Sequence, residues 1–288
     1  MRAVIAIGGN AIDSMALTKV SSLIAAMHRR GDELIITHGN GVQIGELASV
    51  EDKHLGILTA QTEAEIGLAL MGSLSAYLGA KNIGSSVAVV LTRVLVDEKD
   101  PEFKRPTKPI GKFYGRAASL RLERRGYIMK HLIHGYRRVV PSPRPLDIID
   151  IEPMCILLKK GYIVIAAGGG GVPVVPRRKG ISYPDAVIDK DFASALLAKR
   201  IGAHALFILT NVDGAYLNFG TKRQRLLRRV SAADLRSYVR EGHFEEGSML
   251  PKISAAIDFV ESTKGIASIG SLSNPSAAIA LRSTVISP

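Results

Sequence analysis

Ala3-Val4-Ile5-Ala6-Ile7-Gly8-Gly9-Asn10-Ala11 carries five aliphatic residues straight into a pair of glycines. An unbroken short apolar run reads as a strand buried on both faces, and the glycines at its carboxyl end read as the turn that stops it. The same unit recurs. Glu33 to Thr37 ends in His38-Gly39-Asn40-Gly41-Val42-Gln43, and Tyr162 to Ala167 ends in Gly168-Gly169-Gly170-Gly171. Ser86 to Leu91, Ala205 to Leu209 and Ile266 to Ile269 are further strands of this kind. Between them lie helical stripes: Leu17, Val20, Leu23, Ile24 and Met27 recur at three and four, as do Ile253, Ala256, Ile257 and Val260. Strands alternating with helices predict an α/β fold, an open three-layer αβα sandwich around a mostly parallel central sheet.

One stretch departs from the alternation. Residues 97–145 are rich in Pro, Lys, Arg and Gly where a plain crossover helix would suffice, so they are expected to form a small protruding lid subdomain inserted in a single domain spanning 1–288. Phe103, Ile110, Phe113 and Tyr114, with the helical pattern from Ala117 to Arg125, favour an ordered lid. At 288 residues and 47% hydrophobic content the chain can fill a sizeable core. No run of eighteen apolar residues suggests a membrane span, and Met1 to Ala11 leads directly into a strand, which together predict a cytoplasmic protein. Cys155 is the single cysteine and has no intrachain partner.

The formal charge of +12 invites a nucleic-acid reading. The basic residues, however, come as scattered pairs such as Arg29-Arg30, Arg177-Arg178 and Arg228-Arg229, without zinc-finger spacing or an aromatic RNA-binding pattern. No specific nucleic-acid partner is expected, and a small substrate bearing several phosphates accounts for part of the excess.

Glycine turns at the carboxyl ends of neighbouring strands let backbone approach an anion, and three of them at one edge of the sheet make a shared anion pocket more credible than a single turn would. Four successive glycines suit neither helix nor strand and imply a close backbone approach. The Gly-x-x-x-x-Gly-Lys-Ser/Thr spacing of a Walker loop is absent, so any phosphates need lysines brought from elsewhere. Lys190 lies between Asp189 and Asp191 where a helix opens, either as a local ion pair or as a phosphate ligand. Lys252 follows Gly247-Ser248-Met249-Leu250-Pro251 in the first turn of another helix, where the macrodipole disfavours a cation unless an anion sits there. Thr210-Asn211-Val212-Asp213-Gly214 places a polar turn at a strand's carboxyl end, the usual ligand edge of such sheets. His38 reads equally as a structural hydrogen-bond partner and as a base.

Taken in order, these segments resemble the amino-acid kinase family, and within it the carbamate kinases, over nearly the whole chain. The wider family is matched by Ile7-Gly8-Gly9-Asn10-Ala11, Thr37-His38-Gly39-Asn40-Gly41 and the turn from Thr210 to Gly214. Pro106-Thr107-Lys108-Pro109-Ile110-Gly111 and Arg137-Arg138-Val139-Val140-Pro141-Ser142-Pro143 are similar to carbamate kinases in particular. The resemblance implies reversible phosphoryl transfer between ATP and carbamate, with Mg2+ accompanying ATP or ADP, in a homodimer. It implies substrate over the amino-terminal half, held by Gly8, Gly9, Asn10, Gly39, Asn40, Gly169 and Gly170. Nucleotide would lie over residues 162–288, held by Thr210, Asn211, Val212, Asp213, Tyr216, Ser248 and Met249. Lys108, Lys190 and Lys252 would serve the transferred phosphoryl group, with Asp191 orienting the lysines; no metal ligand is assigned. Val42 and Leu250 stand where the family usually has proline and glycine. The alternatives are a relative acting on another small carboxylate or phosphate, and a non-catalytic nucleotide-binding or nucleic-acid-binding relative.

Overall fold

The computed structural model describes residues 1–8, 14–51, 53–84, 86–132 and 134–288, and of 14–16 the backbone alone. Its central sheet has eight strands, in the order Arg229–Ser231, Thr284–Ser287, Ile266–Ser271, Ala205–Thr210, Arg2–Ile7, Glu33–His38, Ile163–Ala166 and Val87–Val90. All neighbours run parallel except Ile266–Ser271 with Thr284–Ser287. The six strands expected from the apolar runs are all there. The two at the carboxyl-terminal edge are too short to carry a legible pattern.

Alternation along the strands sorts the core into two layers. Val4, Ala6, Ile35, Val164, Leu206 and Ile208 point to one face, joining Met154 and Leu158 of the helix Ile151–Lys159, Ala193 and Leu197 of Lys190–Arg200, and Ile253, Ala256 and Val260 of Met249–Thr263. Ala3, Ile5, Ile7, Leu34, Ile36, Phe207 and Leu209 point to the other. There they meet Val20 and Ile24 of the helix Ser14–Arg29 and Ile66, Leu70, Leu74 and Leu78 of Leu55–Ala80. Helices on both faces bury both sides of every central strand, which is why those strands read as continuous apolar runs.

A second sheet, ordered Gly180–Ser182, Val172–Arg177, Arg93–Val96 and Pro145–Ile148, extends from the same end. Pro173 and Pro176 interrupt the pattern in one of its strands and hid it from sequence reading. Residues 97–145 leave and rejoin the chain through this sheet and contain a third, antiparallel one: Lys108–Tyr114, Gly135–Val140 and Met129–Leu132, with the helix Arg116–Arg124. This unit rests on the helix Gly41–Val50 by a backbone-to-backbone contact, since a Cβ added at Gly45 would fall on the backbone of Gly111, itself at φ +70°. Ile44, Ala48, Leu55, Leu58, Ile110, Val140 and Val187 close an apolar cluster beneath it.

Candidate active site

The glycine turns, the opening of the helix Lys190–Arg200 and the Thr210 turn meet where the parallel strands end. Asp189 is the amino-terminal cap of that helix, one carboxylate oxygen accepting the Asp191 N–H at 2.9 Å. The cap fixes the next two side chains. Lys190 Nζ donates to Asp191 Oδ1 at 2.7 Å, and Lys252 Nζ, from the first turn of Met249–Thr263, donates to Asp191 Oδ2 at 3.1 Å and to the Ser248 carbonyl at 3.0 Å. Lys108 reaches down from the lid to Asp189 Oδ2 at 2.7 Å. Ser194 Oγ donates to the Lys190 carbonyl at 2.6 Å and faces Thr37 Oγ1 at 2.6 Å, tying this helix to the second strand.

The cluster holds three ammonium groups and two carboxylates, largely out of water. Burial alone would raise the Asp191 carboxyl, but the charges of Lys190 and Lys252 hold it well below the usual carboxylate range. Burial works to lower the ammonium of Lys252, and the carboxylates of Asp191 and Asp189 more than reverse it, so its pKa is raised. Lys190 is shifted down, by burial first and by the neighbouring Lys252 charge, against the pull of Asp191. Lysines 190 and 252 therefore share one counter-ion at the amino ends of two helices, where the helix dipoles add positive potential. Such an arrangement is unsatisfied until an anion arrives.

Gly8, Gly39, Asn40, Gly169 and Gly170 converge beside this cluster, whereas Gly9 and Asn10 lie outside the described residues. The turns differ from expectation in one respect. The N–H groups of Gly8 and Gly39 donate to Leu209 O at 2.9 Å and Ile7 O at 3.1 Å, and that of Gly170 to Ala167 O at 3.1 Å. In this conformation these amides are committed within the protein and are not an anion cradle. The close approach that four glycines allow is to the chain's own side chains and backbone. A Cβ at Gly169 would fall on the Asn40 amide, one at Gly168 on the His38 imidazole, and one at Gly170 on the Ile188 carbonyl. His38 is buried and its imidazole is held down to about 4, by burial first and the Lys190 charge second, against the backbone carbonyls of Gly39 and Glu63.

On the other side of Lys252 a cavity of about 230 Å³ opens between the Thr210-Asn211-Val212 turn and residues 243–249. Tyr216 and Phe219, ring centroids 5.7 Å apart, form one wall; Phe244 and Met249 form another. Asp213 does not border this cavity. It is exposed, because the chain turns inward at Gly214 and Ala215, whose N–H donates to Thr284 Oγ1 at 2.8 Å. Ser248 does border it, although its hydroxyl donates to Glu245 at 2.9 Å instead of capping its own helix. Beneath the lid a larger groove of about 760 Å³ runs past Lys108, Asp189, Arg137 and Leu250. Among the described residues no group of three or more His, Cys, Asp or Glu is placed to hold a metal ion.

The amino acid kinase family model matches residues 1–269. The chain belongs to that family. Among its amino acid kinase relatives, carbamate kinase 1 of Enterococcus faecium is 43% identical over 279 residues, covering 90% of this chain and 89% of that one. The carbamate kinase of Pyrococcus furiosus is 39% identical over 283 residues, covering 90% of each. The solved structure of Giardia lamblia carbamate kinase bound to AMP-PNP is 33% identical, with a TM-score of 0.86 over 99% of this chain and 98% of that one. Sequence reading did not find Phe219, Phe244, His243 or Glu245 at the cavity, nor the buried Glu63 behind the glycine loop. An aromatic pair three residues apart is a faint signal for the first, and the others carry none, because distant segments meet only in the fold.

Proposed function

We propose that this chain is a cytoplasmic carbamate kinase, catalysing reversible, magnesium-dependent phosphoryl transfer between ATP and carbamate. The observation that carries the reading is the convergence of Lys190 and Lys252 on one buried carboxylate, with Lys108 on the adjacent one, between the glycine turns and the aromatic-walled cavity. In synthesis of ATP, an oxygen of the ADP β-phosphate attacks the phosphorus of carbamoyl phosphate as the bond to the carbamoyl oxygen breaks. Charge shifts along the equatorial and leaving oxygens, and little is asked of the protein beyond alignment and neutralisation. Lys190 and Lys252 supply positive charge already fixed by Asp191, so no reorganisation is needed as the charge moves. Lys108 comes from the lid side toward the small acid. The base rests between Tyr216, Phe219, Phe244 and Met249, and Lys252 stands where that cavity meets the lysine cluster.

The donor set suits magnesium carried in on the nucleotide phosphates, since this ion keeps few protein ligands and the described residues offer no cluster of acidic side chains to cage it. Its chemistry there would be to neutralise the phosphates. We further propose a homodimer, built on the helix Leu55–Ala80. Its outer face, Ile57, Ala64, Leu68, Gly72, Ser75 and Ala76, is exposed and carries a single charge, Glu65, with Leu68 at 63% exposure. The test of the activity is ATP formation from carbamoyl phosphate and ADP with and without magnesium. Turnover dependent on both substrates is the expected result; phosphorylation of another small acid, with none from carbamoyl phosphate, would sink the assignment.

A further inference from the structure

The helix Leu55–Ala80 carries Thr59, Thr62 and Glu63 fully buried among its apolar residues. These face the loops at 38–40 and 167–171. Thr62 Oγ1 accepts from Asn40 Nδ2 at 2.9 Å, fixing the second glycine turn. Glu63 holds the third. Its Oε1 accepts the Gly168 N–H at 3.0 Å and its Oε2 the Thr92 N–H at 3.3 Å. The Thr92 hydroxyl donates to Val90 O at 2.8 Å and accepts the Ala167 N–H at 2.7 Å. Ala167 is left-handed at φ 50°, a costly conformation for a residue with a side chain, so this pinning is what keeps the loop folded back. Beyond it Gly169 lies on Asn40, and Gly170 lies on Ile188, the residue before the Asp189 cap.

Among the described residues no cation serves this carboxyl. His38, on the strand Glu33–His38, is an uncharged imidazole whose Nε2 is buried without a hydrogen-bond partner. Arg93 is bound to Asp150 at 2.6 Å, and Lys190 is bound to Asp191. Asp150 contributes only like charge. A carboxylate here would be a buried charge with only two amides and the Thr92 hydroxyl beside it and, among the described residues, no cation, and such a group lowers its energy by taking a proton. The Thr92 hydroxyl has a lone pair left to receive it.

We propose that Glu63 is a positioning residue that acts as an uncharged acid, setting the glycine loop against Asn40 and the Lys190 helix, and that its ionisation disorders this alignment. The proposal rests on the phosphotransferase reading of the site. Burial pushes the Glu63 carboxyl up to about 8, and the Thr92 and Gly168 amides bring it only part of the way back. Because the folded value lies above the unfolded one, the stabilisation is complete below the ordinary carboxylate range and is lost as pH rises through about 8. Loop alignment, and with it turnover, should fall over the same interval.

Glutamine keeps the side chain uncharged and one oxygen to accept an amide N–H, although its NH2 turns a donor toward the other amide, and alanine keeps neither partner. The experiment compares the pH dependence of kcat and of the ADP KM for wild type, Glu63→Gln and Glu63→Ala, with difference infrared spectra of each unliganded protein across the same range. Wild-type kcat should fall about tenfold between about pH 7 and pH 9.5 with little change in KM. Glu63→Gln should stay within about threefold of wild type at neutral pH and lose the alkaline fall, while Glu63→Ala is low throughout. A protonated-carboxyl band should vanish from wild type as pH passes about 8 and be absent from Glu63→Gln. An alkaline fall retained in Glu63→Gln, a Gln variant as inactive as Ala, or no such band would overturn the proposal. If wild type makes no ATP at any pH, the kinase reading fails, and the infrared band still decides the protonation of Glu63.

Discussion

Lys190 and Lys252 each stand in the first turn of a helix, the position the macrodipole makes least comfortable for a cation, and both lean on Asp191. This is a poor design for stability and a good one for receiving a phosphoryl group. Replacing either lysine with alanine removes one prepositioned charge and should lower turnover by roughly a hundredfold to a thousandfold, about 2.7 to 4 kcal/mol of transition-state stabilisation. Both variants should fold, because the remaining lysine still neutralises Asp191. Asp191→Asn is the opposite case. It leaves two ammonium groups crowded in a buried site, and breaking a buried pair in this way costs about 3 to 5 kcal/mol, so its midpoint in urea should drop well below that of the lysine variants. Near-normal turnover in Lys190→Ala or Lys252→Ala would reduce that lysine to a structural ion pair.

Residues 97–145 show how an inserted unit can carry a lysine to the cluster while packed on the body through the Gly45–Gly111 contact and through Ile110 and Val140. Its strand Lys108–Tyr114 begins with the lysine and crosses the helix Gly41–Val50 three residues later, where Gly45 and Gly111 touch through bare backbone. Pro109 stiffens the strand beside the lysine, so movement of the lid as a body would carry Lys108 with it. Lys108 is held on Asp189. Exchange of that carboxylate for the phosphoryl group would place the cation where water is excluded and its charge counts for more. Lys108→Ala should therefore depress kcat by at least about tenfold while calorimetric ADP affinity changes little, since the cavity proposed for the nucleotide is walled by residues 210–219 and 243–252. Loss confined to ADP affinity would contradict the lid's role.

At the scale of the whole molecule, the outer face of Leu55–Ala80 is the feature that a lone chain leaves unexplained. The inner face of this helix carries Glu63 and the sheet contacts, and the outer face presents mostly small and apolar residues, with Gln61 and Glu65 among them. A second copy docked there would brace, from behind, the helix that positions the glycine loop. Leu68→Glu places a charge at the centre of that face, and sedimentation should show a dimer converted to monomer, with turnover reduced less than in the lysine variants. A wild-type chain that sediments as a monomer, or a Leu68→Glu chain that remains dimeric, would remove this surface from consideration. Part of the excess positive charge is engaged within the protein, as Arg177 of the Arg177-Arg178 pair is with Glu98.

The sequence by itself determined the layers of the fold, because a strand buried on both faces must be apolar throughout and a helix laid on it must show a stripe. It also determined where the chain stops being regular, since glycine runs and proline-flanked lysines have few other uses. Lys190 and Lys252 drew notice at helix starts, while the roles expected of them, and of Lys108 and Asp191, came from the family resemblance. The tertiary structure alone decided which groups of the chain those glycines pack against, Asn40, His38 and Ile188, because that depends on which strand lies next to which. It alone turned Asp213 outward and brought Phe219 and Phe244 together, as segments some twenty residues apart share a wall only after the chain has closed. And it alone made Glu63 an acid in an apolar pocket. In the sequence it is one more glutamate in a helix, and its chemistry comes from what the rest of the chain buries around it.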